Sequence, residues 1–453
     1  MAPVGQSIPP FEATVTRRMA GRERIPYPAA GSRAASRRST TPPDTTAALA
    51  PALPALMATV DVRPPGVAAP FDPATFDLAG FCAAVDRLKA EAHAAIGPAD
   101  FTHLRRIEAY GRAATLVGYA TAWIAPNPLT AFLLSLGQFT RWLLAHHILH
   151  RGYDRVPGIP ARYTSRGFAR GWRRYVDWFD WLLPEAWDFE HNTLHHYHTG
   201  EDGDPDVAER HLEFLRRLRI PVALKYVVIA AVACTWKIVY YAPNSLAVLE
   251  SPGGRRAAHG SIARLTLGSV FDVRRAAVRR LWLECYAPYV GWHFVAVPLL
   301  FLPLGTTAAL AVLVNKLLAE AITNAHAFLV IVPNHTADDL YRFRFHYRRK
   351  EEFYVTSVLG SANYRCGPEC VDYLSIWLNY QIEHHLFPDL PMRQYCLVQP
   401  RVRDLCAAYG LPYRQEGVFR RFGRMLDVCV GKTSMRQLEA FPVSWGGQTA
   451  TIC

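Results

Sequence analysis

The sequence predicts an all-α integral membrane protein with two transmembrane hairpins, an interfacial helix between them, and an aqueous helical cap that holds a metal site. Three observations point there. Apolar stretches of near-spanning length come in two adjacent pairs. Nearly half of the seventeen histidines fall into three knots, HHILH at His146 to His150, HNTLHH at His191 to His196 and QIEHH at Gln381 to His385. The composition, 51% hydrophobic with a mean hydropathy of +0.02, is high for a soluble enzyme and low for a transporter, so partial immersion is expected.

Residues 1–65 are rich in Ala, Pro, Ser, Thr and Arg, with acids only at Glu12, Glu23, Asp44 and Asp61. Such a stretch cannot bury a core alone. It reads as a disordered leader, and its acid-poor, basic character also fits an organelle transit peptide. From Pro70 the chain turns globular, and Phe71 to Ala95 has helical apolar spacing. The first hairpin joins Ala113 to Ile124 and Leu129 to Leu149 through Pro126-Asn127-Pro128; the second joins Tyr286 to Leu304 and Thr307 to Pro333 at Gly305. A span needs about 20 mainly apolar residues, which sets the four spans near 110–126, 128–149, 284–304 and 307–332. The membrane domain is expected to close near residue 441, leaving 442–453 as a flexible tail.

A fifth apolar run, 220–241, carries Lys225 and Lys237. A lysine at the bilayer centre costs at least about 2.5 kcal/mol. The three knots must also share one aqueous face, so an even number of crossings separates the second from the third. Both considerations make this run an interfacial helix with snorkelling lysines.

The net charge of +12 is spread over arginines that flank the span ends on the histidine side. That distribution suggests a cytoplasmic or stromal active face against anionic membrane lipid, with no call for nucleic acid. An endoplasmic reticulum and a plastid membrane fit equally well. Nine cysteines show no CxxC spacing and read as ordinary thiols.

Neutral imidazole is the commonest protein metal ligand. On an α-helix residues four apart share a face, so His146 with His150, and His191 with His195, can each aim at one ion. Adjacent pairs such as His195-His196 and His384-His385 diverge by about 100° and can serve two ions. With His147 counted, the knots hold eight imidazoles, a surplus for one zinc and a fair number for two irons. A non-catalytic metal-binding membrane protein is the alternative, although its histidines would run through the spans rather than sit at their ends. Of the remaining histidines, His93, His103, His198, His211, His259 and His346 read as surface residues and His293 as a buried, hydrogen-bonded one.

The order of an HxxxH knot, an HxxxHH knot, two further spans and QIEHHLFPDLP resembles the membrane fatty acid desaturase superfamily over roughly residues 100–410. Gln381 in place of a leading histidine, followed by Leu386-Phe387-Pro388, is similar to the front-end desaturases. The resemblance implies an oxygen-dependent di-iron enzyme that puts a double bond into a fatty acyl lipid or acyl-CoA, with lipid hydroxylation as the alternative reaction. No HPGG haem motif is present, so electrons are expected from a separate cytochrome b5 or ferredoxin type donor. The first knot departs from the family's usual HDxGH type.

Residue by residue, the family pattern places metal ligands at His146, His150, His191, His195, His196, His384 and His385, with one more near the end of the fourth span. His335, beside Asn334, is the choice there over His326, which lies deeper. His147 is the substitute for His146, and Gln381 would bind weakly or orient a neighbour. Asp154, Glu190, Glu201, Asp202, Asp204, Asp206 and Glu383 are the carboxylates near the knots, suited to fixing imidazole tautomers.

Overall fold

The computed structural model describes residues 71–73, 75–250 and 269–441, so the expected leader and tail, and His259, lie outside the described residues. The described chain is mostly helical, with two small parallel two-stranded pairings: β1 (Tyr341–Phe343) beside β4 (Arg436–Leu438), and β2 (Asn363–Tyr364) beside β3 (Gln415–Glu416).

Helix α1 (Leu78–Ala94) starts where the Asp77 carboxylate accepts from Gly80 N at 2.9 Å, an N-cap. It buries Phe81, Val85, Leu88 and Ala92, one face at helical spacing. Helices α2 (Pro98–Ala122) and α3 (Pro128–Leu149) form the first hairpin. Proline stands at the first turn of both, where its missing N–H costs nothing, and Asn127 caps α3 by accepting from Thr130 N at 2.8 Å. The two helices meet over small residues: a Cβ on Gly137 would lie 2.0 Å from Thr115 Oγ1.

Helix α4 runs over 184–198 and includes a π-turn at Glu190–His195. Helix α5 is Val222–Glu250, α6 is Ala276–Leu304 and α7 is Thr306–Ile331. The chain after α7 adds α8 (Lys350–Leu359), α9 (Gln381–Leu386), α10 (Met392–Ala408) and α11 (Val418–Val430). Helix α7 packs against α3 on one side and α5 on the other. Its Asn315 fastens the first hairpin's turn, accepting from Asn127 N and donating to the carbonyls of Ala122 and Ala125.

Among the described residues three helices are long and apolar enough to cross a membrane: Val222–Glu250, Ala276–Leu304 and Thr306–Asn334. The first hairpin is not among them, as Arg105, Arg106, Glu108 and Arg112 occupy the first half of α2 and Arg141 interrupts α3. The run expected to end at 241 continues to Glu250, and its lysines do not snorkel. Lys225 Nζ donates to the carbonyls of Arg216 and Val430, at 2.9 and 3.1 Å. Lys237, 1% exposed, donates to Asp180 Oδ2 at 3.0 Å with Glu320 Oε1 at 3.7 Å. Fixed acceptors inside the fold replace water for both.

Candidate metal centre

Four segments converge. The end of α3 brings His146 and His150, and the latter is the C-cap, its N–H reaching back to His146 O. The chain then turns through Arg151 in a left-handed conformation (φ 66°) to Gly152. A Cβ there would stand 2.8 Å from both His147 O and Leu390 O, so glycine lets the first knot lie against the chain that follows the third.

The second knot departs from the α-helical expectation. His196 N donates to His191 O, a five-residue step, because Glu190–His195 is a π-turn. The wider turn sets the His191 ring 5.1 Å from that of His195 and 4.9 Å from that of His196. Trp187 stacks on His191 at 4.6 Å, with Trp142 and Trp178 edge-on behind it. The third knot sits on the short helix α9, preceded by Ile376 and Trp377 in left-handed conformations, which non-glycine residues rarely adopt.

Ring nitrogens of His146, His150, His191 and His384 lie within 4.8 Å of one another, as do those of His195, His335 and His385. His196 is shared, 4.3 Å from the His150 ring and stacked at 4.3 Å on His385. His335 follows the short turn Val332–Asn334 that closes α7. His326 is elsewhere, stacked on Phe139 and bonded through Nε2 to Leu374 O at 2.7 Å. His147 turns away as well, its Nε2 donating to Ile376 O at 2.8 Å.

The outer nitrogens are fixed. His195 Nδ1 donates to Asp204 Oδ1 at 2.9 Å, so Nε2 is the nitrogen available to a metal. The Thr199 hydroxyl donates to His195 O and so accepts from His385 Nδ1 at 3.1 Å. The Tyr395 hydroxyl spends its proton on the carbonyls of Phe387 and Pro388 and accepts from His384 Nδ1 at 3.1 Å. His384 Nε2 then faces His146 Nε2 at 3.0 Å. Gln381 donates to His335 Nε2 at 2.8 Å, while its own oxygen accepts from Asn334. Sequence reading passes over Thr199 and Tyr395. The first could have been suspected from its place four residues after His195, whereas nothing near Tyr395 marks it.

Burial, with the neighbouring imidazoles, holds His191, His196, His384 and His385 well below the usual histidine range, and burial brings His335 down to about 3. All are neutral at pH 7, the form that binds metal. Asp204 goes the other way: burial pushes it up, but the His195 imidazole and backbone N–H donors bring it down to about 2. Burial, then Asp206 and Asp204, push Glu190 well above the usual carboxylate range.

The other carboxylates do different work. Asp154 caps Ser165 through its N–H and hydroxyl, away from the rings. Glu383 accepts from Asn363 and the Tyr413 hydroxyl. Glu201 pairs with His198 and His346, tying the loop after the second knot to the segment after β1. Asp202 pairs with Arg342 on the exposed side. Two histidine expectations fail: His103 is buried edge-on to Trp377 rather than at the surface, and both ring nitrogens of His293 are without a partner.

The donor set fits metal. His150 Nε2, His385 Nε2 and both nitrogens of His191 and of His196 are buried without a hydrogen-bond partner. An unsatisfied buried polar atom costs about 1–3 kcal/mol, and a cluster of converging imidazole nitrogens is suited to a shared acceptor of electron pairs.

The model of the family described as fatty acid desaturase matches residues 121–417, which include every one of these histidines. The NADPH-dependent stearoyl-CoA 9-desaturase of Mycobacterium tuberculosis is 26% identical over 366 residues, 77% of this chain and 78% of that protein. Delta(5) fatty acid desaturase fat-4 of Caenorhabditis elegans is 31% identical over 131 residues, 29% of this chain and 28% of its own. The putative fatty acid desaturase 2-like protein FADS2B of Homo sapiens is 54% identical over 46 residues, 10% of each chain. This chain belongs to the fatty acid desaturase family.

Proposed function

We propose that this enzyme is an oxygen-dependent di-iron desaturase that inserts a double bond into a fatty acyl chain, carried as a lipid or as acyl-CoA, with electrons from a separate donor of cytochrome b5 or ferredoxin type. The observation that carries the reading is the division of adjacent histidines: His384 belongs to one set of ring nitrogens and His385 to the other, with His196 between the two. Two sets suit two ions. The ligands would be His146, His150, His191 and His384 for one iron and His195, His335 and His385 for the other, with His196 between; metal at His335 Nε2 would displace the Gln381 N–H from that lone pair. Bound there, iron supplies the oxygen activation that no side chain provides. Asp204, Thr199 and Tyr395 hold the tautomers, and the indoles of Trp142, Trp178 and Trp187 keep water from the first set.

In the membrane, α2, α3, α6 and α7 form the four spans, and α5 lies along the boundary. Two points along α5 support this, as Lys225 in its first turn bonds to Val430 O and Tyr240 farther along bonds to Pro205 O beside the second knot. Gln381 and the Delta(5) name of one partly matched relative favour a double bond near the carboxyl end, whereas the name of the relative matched over most of the chain, a stearoyl-CoA 9-desaturase, favours a saturated acyl-CoA. The test is expression in a host supplied with a fatty acid panel, followed by mass analysis. New acyl products about two mass units lighter than their precursors are expected; products about sixteen units heavier would make it a hydroxylase.

A further inference from the structure

A second chemistry sits among the helices, away from the histidines. A cavity of about 400 Å³ lies between α2, α3, α6 and α7, within the size range of small-molecule pockets. One wall is apolar, with Leu134, Val297 and Phe301. Another presents Arg141, Lys316 and His293. Lys316 is 1% exposed and His293 7%, and both ring nitrogens of the latter lack a hydrogen-bond partner. Among the described residues no carboxylate lies within ion-pair distance of Arg141 or Lys316, whereas the neighbouring Lys237 has two; the Lys316 ammonium stands over the Tyr119 ring, 6.0 Å from its centroid.

The local acids are already committed. Asp180 holds Lys237 and the Trp181 N–H, while Glu320 accepts from Trp181, Asn324 and the Tyr289 hydroxyl and stands 3.7 Å from Lys237. Three cations, the buried Lys237 and Lys316 and the half-buried Arg141, face two carboxylates, a surplus of one positive charge. Removing such a charge from water without a partner costs several kcal/mol. The missing element is one negative charge, attached to something apolar enough to occupy the rest of the space.

The geometry points to a binding site for a fatty acid anion, its carboxylate on Lys316, Arg141 and His293 and its single tail along Leu134, Val297 and Phe301. A monoanion matches the surplus, and one tail fits where the two chains of a phosphodiester lipid would not. Helical rise places Arg141 roughly 7.5 Å along α3 from His146, with Trp178 between the cavity and the indole layer behind His191. The site is independent of the reaction at the histidines.

Equilibrium dialysis of the detergent-solubilised full chain with radiolabelled oleate tests it. Saturable binding is expected, weakened about tenfold or more in Lys316→Met and Arg141→Met, with oleyl alcohol and acetate competing poorly. Oleyl alcohol binding equally well, octyl phosphate binding more tightly, acetate displacing oleate at equal concentration, or unchanged affinity in both variants would each overturn the assignment. Val297→Trp keeps the cations but fills the cavity, and should abolish binding. A diazirine-bearing fatty acid on the unaltered protein needs no variant: labelling of the α6 peptide around Val297 supports the site, and labelling confined to the histidine segments refutes it.

Discussion

Asp204→Asn isolates what a buried carboxylate contributes to the metal centre. Asp204 accepts three hydrogen bonds, from His195 Nδ1 and Gly200 N at 2.9 Å and from Asp206 N at 2.8 Å. An asparagine oxygen can keep one side of this arrangement, but its NH₂ then faces an N–H donor. The variant therefore loses at least one hydrogen bond to a charged group, about 1.5–3 kcal/mol, and the His195 tautomer is no longer enforced. At about 1.4 kcal/mol per decade this is roughly a 10- to 150-fold loss in metal affinity, in line with the 10–100-fold cost typical of outer partners of metal-bound histidine. The assay is metal content by mass spectrometry across a chelator series, with acyl product measured in parallel. Asp202→Asn, an exposed partner of Arg342, serves as the matched control. Equal chelator resistance of Asp204→Asn and unaltered protein would refute the proposed role of Asp204.

Gly152→Ala should lower both metal content and yield of folded protein, by about 1–3 kcal/mol, because its Cβ would meet two backbone oxygens at 2.8 Å; a thermal melt within experimental error of the parent would contradict this. Burial raises the Glu383 carboxyl to about 7, so the folded state binds the extra proton between the ordinary carboxylate range and that value. Stability contributed by this group is intact at low pH, falls as pH climbs from about 4.5 to 7 and stays low above, a difference on the order of 3 kcal/mol. Glu383→Gln should accordingly flatten that part of the stability profile and gain most at pH 8, and a parallel pair of profiles would count against it. Lys237→Met leaves Asp180 and Glu320 buried without their cation and should cost about 3–5 kcal/mol in denaturation experiments, whereas adding Asp180→Asn and Glu320→Gln should recover much of the loss. If the triple change is as unstable as the single one, packing rather than charge is responsible.

Features carried by local spacing were readable from the chain. The hairpin at Pro126-Asn127-Pro128 emerges with Asn127 as the helix cap, and 128–149 is the helix Pro128–Leu149, although it is not among the helices apolar enough to cross a membrane. The histidine knots announce themselves because ligands to one ion must recur at helical intervals, and the structure gathers their rings with His335 while leaving His326 and His147 outside. Features set by distant partners were not readable. Lys225 and Lys237 look like snorkelling residues until Val430 and Asp180 supply acceptors from elsewhere in the chain. The π-turn at Glu190–His195 likewise has no spacing signature, since an inserted residue leaves the sequence order unchanged and only packing against Trp187 and α5 reveals it.

The contact between His146 and His384 closes a loop of 238 residues. Loop closure over that length is entropically unfavourable, and little is gained until the last knot arrives. The centre is therefore among the final features to form as the polypeptide matures, and a metal bound across it acts as a clasp on the whole membrane domain. Binding to the folded form alone adds stability that grows with the logarithm of free metal concentration. With the iron ligation proposed above, a cell short of iron would lose not just turnover but the protein itself, through slower maturation and readier degradation.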